Sequence, residues 1–251
     1  MDIKIDTGYK TLRSIDGLER LNNWLFYLIE PYIGQRILEI GAGIGTFTKF
    51  LIKKRQLVVA LDISREYTEI INERFKASSN LVTLCLDIQQ GEIEELGKYA
   101  NLDTAICFNV LEHIRNDAQA LENIHKLLAE RGRLVVLVPA FKFLFGILDI
   151  NLGHYRRYNF NELKFKLAKA GFGIEHSRYI HFFGAIAWFL NSRIFKTAEL
   201  PLRQLDIYDR LIPLLRPIER LTSAFMGQSL LLVCDKQPGR DKGPDSRRNW
   251  L

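Results

Sequence analysis

Three glycines at alternate positions, Gly41, Gly43 and Gly45, close the run Ile37-Leu-Glu-Ile-Gly-Ala-Gly-Ile-Gly-Thr46. Glycine allows a tight turn and lets a ligand approach the backbone closely. A helix starting just beyond offers unpaired N–H groups to a polar ligand. The spacing is GxGxG, not the GxGxxG of nicotinamide-binding turns, and an acid, Glu39, stands two residues before the first glycine. Two more apolar runs end in carboxylates, Val58-Val-Ala-Leu-Asp62 and Leu84-Cys-Leu-Asp87. An acid placed like Asp62 can take both hydroxyls of a ribose. Further on, Gly153-His-Tyr-Arg-Arg-Tyr158 follows Asp149. His154 has an ordinary pKa of about 6.5, suited to general-base work, and Asp149 could orient it. Arg156 and Arg157 carry planar forks that match phosphate or carboxylate.

These groups need a scaffold. Short apolar runs rich in Val, Ile and Leu recur at 37–40, 57–61, 81–86, 104–108 and 133–138. Amphipathic or polar stretches, 46–54, 65–76, 91–98 and 115–129, alternate with them. That alternation predicts a parallel sheet with helices on both faces, an α/β fold. Residues 1–34 read as an N-terminal helical segment, with Leu18, Leu21, Trp24, Leu25 and Leu28 in one stripe. Beyond Pro139, a helix over 159–170 with Asn159 and Glu162 as a capping box is expected. Strands over 173–181 and 228–235 follow. Between those strands lie an apolar helix, 182–195, and a second helix, 202–221, broken by Pro213 and Pro217.

On these motifs the chain resembles the class I S-adenosylmethionine-dependent methyltransferases, best over residues 35–139. The resemblance implies a Rossmann-like, doubly wound, mostly parallel sheet of seven strands whose last strand is antiparallel. It implies S-adenosylmethionine as cofactor. Glu39 belongs to the glycine motif, and Gly41, Gly43 and Gly45 would pass beside the methionine part. Asp62, with Ile63 next to it, would hold the ribose. Asp87 and Ile88 would flank the adenine, and Asn109 would meet the methionine moiety. The implied domains are a Rossmann-like body of 35–181 and 228–236, a helical lid of 182–227, and a tail of 237–251 read as disordered.

The GHxRRY run resembles one bacterial subgroup of these enzymes that often accompanies glycosyltransferases and cell-envelope or secondary-metabolite pathways. It implies a small-molecule acceptor, or one linked to a lipid or glycan. His154 and Asp149 are the expected catalytic pair, and Tyr155, Arg156 and Arg157 the expected substrate contacts. For Glu112-His113, after the fourth strand, the resemblance implies a histidine close to the cofactor pocket, and a structural role is favoured. A nucleic-acid methyltransferase is disfavoured. Asn109-Val-Leu-Glu112 lacks the proline and aromatic that would stack on a flipped base. A non-catalytic scaffold that binds the cofactor is the other alternative.

Composition sets the remaining bounds. With 251 residues, 47% hydrophobic and 25% charged, the chain can bury a full core. Cys85, Cys107 and Cys234 form no CxxC pair and no metal-ligand spacing is apparent, so a reducing cytoplasm and a metal-free enzyme are expected. No secretory signal is read at the start. The net charge of +6 is carried between residues 140 and 226, with 13 Lys/Arg against 7 Asp/Glu. There, 179–220 alternates apolar stretches with Arg and Lys, which suits first a lid helix packed on the core, then peripheral membrane contact or a greasy substrate, then a dimer face.

Overall fold

The β-rich apolar runs become strands in a computed structural model that describes residues 7–90, 92–99, 101–197 and 202–238. In chain order the elements begin with helices α1 (Thr7–Asp16) and α2 (Glu19–Ile29). There follow β1 (Arg36–Ile40), α3 (Thr48–Leu51), β2 (Leu57–Asp62), α4 (Arg65–Arg74) and β3 (Leu81–Cys85). Next come β4 (Leu102–Phe108), α5 (Asp117–Leu127), β5 (Leu128–Pro139), α6 (Ile147–Asn151) and α7 (Phe160–Lys169). The chain ends with β6 (Phe172–Ile180), α8 (Phe182–Phe189), α9 (Leu202–Thr222) and β7 (Ser229–Lys236). Much of the expected 237–251 tail lies outside the described residues.

One sheet holds all seven strands in the order β3-β2-β1-β4-β5-β7-β6. β7 runs antiparallel to both neighbours, and the other pairs are parallel. The order reverses between β1 and β4, where ligands of open α/β sheets bind at the carboxyl ends of the strands. Alternation along each strand sends side chains to two cores. Ile37 faces Trp24 and Ile29 of α2, whereas Leu38 faces the layer of Leu121 and Ile124 from α5.

The two N-terminal helices are separate because Gly17 and Leu18 interrupt them. Leu18 stands at the N-cap of α2 with no side-chain acceptor. Asp209 of α9 supplies one instead, accepting from the Leu21 backbone N–H at 2.8 Å. Glu219 does the same for α8, taking the Phe182 N–H at 2.7 Å. These two buried acids fasten α9 to two helix starts.

Two expectations are corrected. Pro213 and Pro217 do not break α9, which runs unbroken from Leu202 to Thr222. Proline's fixed φ is itself helical, and the lost hydrogen bonds are offset by Ile212 burying in the α2 core and by the two capping acids. At α7, Asn159 occupies the N-cap without a side-chain bond, so no capping box forms. Glu162 instead pairs with Lys142 at 2.8 Å.

Candidate active site

The glycine turn after β1 carries φ values of +69° at Gly41, +56° at Gly43 and +86° at Gly45. L-residues rarely adopt that region. At Gly41 a Cβ would also collide with Val110. The turn is tied to the end of β2 through Asp62. One oxygen accepts from the Gly43 N–H at 2.8 Å, the other from the Ser64 N–H at 2.9 Å. Burial raises the Asp62 pKa against those two donors. Behind the turn, Glu39 is buried and accepts from the Thr48 hydroxyl at 2.6 Å. Burial pushes its pKa up to about 8.

A cavity of about 690 Å³ opens over this end of the sheet. Gly41, Gly43, Asp62, Ile63, Asp87, Ile88 and Asn109 all line it. The sequence had placed these seven side by side, and the fold does bring them together. Glu39 and Gly45 lie behind the wall rather than on it: Gly45 packs on Phe75. Ile63 is exposed at the rim and Ile88 is buried. Asp87 accepts from the Gln89 N–H at 2.9 Å, which fixes its carboxylate. Asn109 takes the left-handed conformation, φ +52°, as the chain turns off β4.

The opposite pole of the same cavity is built around Asp149, which has no exposed surface. One oxygen lies 2.9 Å from His154 Nδ1 and also accepts from Arg157 Nε at 2.7 Å. The other accepts from the Trp188 indole N–H at 3.1 Å and the Gly146 N–H at 3.0 Å. Burial alone would raise the carboxyl's pKa, but these partners outweigh it and hold it below the usual range. With Nδ1 turned to Asp149, His154 presents Nε2 away from it, and His154 lines the cavity.

The arginines divide. Arg157 lines the cavity yet is buried, spending its guanidinium on Asp149, on the Ala140 carbonyl and on the face of Trp188, 4.6 Å away. Arg156 is not in the cavity wall; it bonds Asp117 and the Arg115 carbonyl, both at 2.9 Å. Tyr155 also lies off the cavity wall, exposed beneath Arg115. Tyr158 bonds Asp117 at 2.8 Å inside the core.

Other lining residues were read as structural or were not singled out at all. Glu112 and His113 reach the cavity, and the Glu112 carbonyl accepts from the Tyr155 N–H at 2.8 Å. That clasp sets His113 against His154, ring centroids 4.7 Å apart. Burial pushes Glu112 up to about 8, and burial next to His154 pushes His113 down to about 4. Trp188, Asn191, Gln204 and Tyr208 of the 182–227 insertion complete one wall. Trp188 sits in an apolar run that reads simply as packing, so no local signal marked its bond to Asp149.

Over residues 38–134 the chain matches the family model described as a methyltransferase domain. The chain is 28% identical over 185 residues to the probable polyketide synthase 42 of Dictyostelium discoideum, covering 64% of this chain and 7% of that protein. The chain therefore spans a small part of such synthases. Among solved structures it is similar to the N-methyltransferase NodS of Bradyrhizobium japonicum WM9, crystallised with S-adenosyl-L-homocysteine. The TM-score is 0.59 and the identity 16%, over 93% of this chain and all of that one. It is also similar to the CurJ carbon methyltransferase, with a TM-score of 0.55 and 20% identity over 94% of this chain and 56% of that one. At these identities the structures share the methyltransferase fold alone.

Proposed function

We propose that the protein transfers a methyl group from S-adenosylmethionine to a small organic acceptor bound at the His154 pole. One observation carries the reading: a single cavity joins the glycine turn, Asp62 and Asn109 at one end to His154 at the other. The residues fit the cofactor. Asp62 keeps lone pairs for a ribose beyond those given to Gly43 and Ser64, and the glycine turn leaves room along the backbone. Asp87 and Ile88 are set to flank an adenine, Ile63 stands at the rim beside Asp62, and Asn109 is set to meet the methionine part. When bound, S-adenosylmethionine supplies an electrophilic methyl carbon.

The chain's own groups then do the rest. Asp149 holds the His154 ring in one orientation, so that Nε2 meets the acceptor and takes its proton. Arg157 and Trp188 lock Asp149 in place and line the wall beside the acceptor. Leu148, Ala187 and Leu205 add apolar surface, which suits an acceptor with a hydrocarbon part. The polyketide synthase relatives support a small-molecule acceptor. To test the reading, the protein is incubated with methyl-labelled S-adenosylmethionine and a panel of hydroxyl, amine and activated-methylene acceptors. Formation of S-adenosylhomocysteine that depends on acceptor and is lost in His154→Ala is expected. Cofactor binding without turnover of any acceptor would favour a scaffold.

The finer part of the proposal concerns where the acceptor is met. Among the described residues no helix is long and apolar enough to cross a membrane. Yet Leu214, Leu221 and Phe225 are 72%, 77% and 79% exposed, close along the chain to Arg210, Arg216 and Arg220. Apolar side chains edged by arginine suit a peripheral seat on an anionic lipid surface, next to the element that walls the cavity. Co-sedimentation with phosphatidylglycerol vesicles at low salt, weakened in Leu214→Glu/Leu221→Glu, is expected. Equal recovery with and without vesicles would leave a soluble acceptor.

A further inference from the structure

Three side chains at the acceptor pole have no assigned partnership with one another: Glu112, His113 and His154. Glu112 and His113 lie in the turn after β4. His154 comes from the loop after α6, 41 positions on from His113. The Glu112 carbonyl and the Tyr155 N–H clasp the two segments. As a result one ligand-type atom from each of the three side chains lies within 4.8 Å of the others.

The environment of this trio is that of a cation site. Glu112 has no exposed surface, and neither of its carboxylate oxygens has a hydrogen-bond partner. A buried carboxylate without partners is costly unless a ligand or ion meets it. Arg157 acts on it through its charge but makes no hydrogen bond to it, its bonds going to Asp149 and Ala140. Asp149 takes the Nδ1 side of His154, which leaves Nε2 as the outward lone pair. A carboxylate behind a histidine is the usual outer support of a ligating imidazole. His113 stands edge-on to His154, so the two rings do not block each other.

From this geometry we propose that Glu112, His113 and His154 bind a divalent transition-metal ion. Two imidazoles and one carboxylate suit zinc, cobalt or manganese better than magnesium or calcium. Bonds of about 2.1 Å require the three atoms to draw together by roughly 1 Å, within the reach of side-chain rotation. Three protein ligands leave a coordination position open to the cavity. Ion binding itself does not depend on the methyltransferase reading. Only its use does: with the ion bound, His154 Nε2 is a ligand and no longer the base, and an acceptor oxygen in the open position loses its proton to bulk water instead. The oxygen attacks the methyl carbon, the carbon–sulfur bond breaks, and its electron pair stays on sulfur.

The test is cobalt(II) titration of chelator-treated, full-length protein, read by visible absorption. One equivalent is expected to give a ligand-field band, with zinc displacing it. Glu112→Gln and His154→Asn are each expected to weaken cobalt binding tenfold or more. His113→Asn, which alters a partly exposed ring, serves if either buried variant fails to fold. His176→Ala, at a histidine beside Glu175 on the far edge strand, is expected to bind as wild type. No band at one equivalent, or a band that persists in all three site variants, overturns the proposal. Calorimetric titration of the same samples with S-adenosylmethionine reports on the methyltransferase reading separately, so failure of one is not mistaken for failure of the other.

Discussion

Asp149 Oδ1 lies 2.9 Å from His154 Nδ1, and the carboxylate is held by three further donors that leave it no freedom to turn. On the proposed reaction His154 is the group that meets the acceptor, and Asp149 is a positioning residue.

From that relationship, His154→Ala should lower kcat by about 10²–10⁴-fold with cofactor affinity little changed. Asp149→Asn should lower kcat less, with KM for the cofactor unaltered. It should also cost about 3 kcal/mol of stability, because the buried Arg157 loses its counter-charge. Steady-state kinetics with thermal melts read both effects. A kcat effect of Asp149→Asn that merely tracked the folded fraction would make its role structural.

At the cofactor end, Asp62→Ala removes the acceptor for the Gly43 and Ser64 N–H groups as well as the ribose contact. Two charge-assisted bonds of about 1.5–3 kcal/mol each predict a loss of cofactor affinity of about 100-fold or more. Calorimetric titration with S-adenosylhomocysteine measures it directly, and an unchanged affinity would move the ribose elsewhere.

Glu39 gives a pH signature. Its pKa rises from 4.5 to about 8 on folding, through burial. The folded state therefore keeps a proton that the unfolded state releases. Stability from this group is complete below about pH 4.5 and is lost as pH rises through 8. His113 and His181, both depressed from 6.5 to about 4 by burial, act in the opposite sense but only below about 6.5. The window from pH 6.5 to 8 leaves Glu39 together with Glu112, whose pKa burial also raises to about 8. There the wild-type melting temperature should fall by several degrees, and Glu39→Gln should reduce the slope by about half. Parallel slopes for the two proteins would count against a proton on Glu39.

The cap that Asp209 gives to Leu21 predicts a two-sided effect. Asp209→Ala should cost about 1–2 kcal/mol and loosen both α2 and α9. Ser64→Ala, which removes a cap within α4 alone, should leave α9 untouched. Hydrogen exchange of α9 amides distinguishes the two. Equal protection of α9 in both variants would make Asp209 a passive neighbour.

The cofactor half of this protein was legible along the chain. Glycine spacing, strand-end acids and the period of apolar runs are local features, and a doubly wound sheet places successive strand ends side by side. That is why Gly41, Asp62, Asp87 and Asn109 converge as their order implied, and why β7 was foreseen as antiparallel. The acceptor half was only partly legible. His154 and Asp149 lie five residues apart and were paired correctly, but Arg156 turned to Asp117 and Tyr155 to Arg115. Glu112 and His113 read as structural, and the fold sets them against His154. Trp188 bonds an acid 39 residues away and Asp209 caps a helix 188 residues away. Neither partner is encoded in any periodicity. Continuity of α9 through two prolines was likewise settled by packing, since its buried face and capping acids outweigh two missing hydrogen bonds. Local propensity and pattern determined the sheet and its glycine cradle. Which distant side chains share one buried space was decided only when the helices closed over it, because burial rewards whatever partner the packing brings within reach.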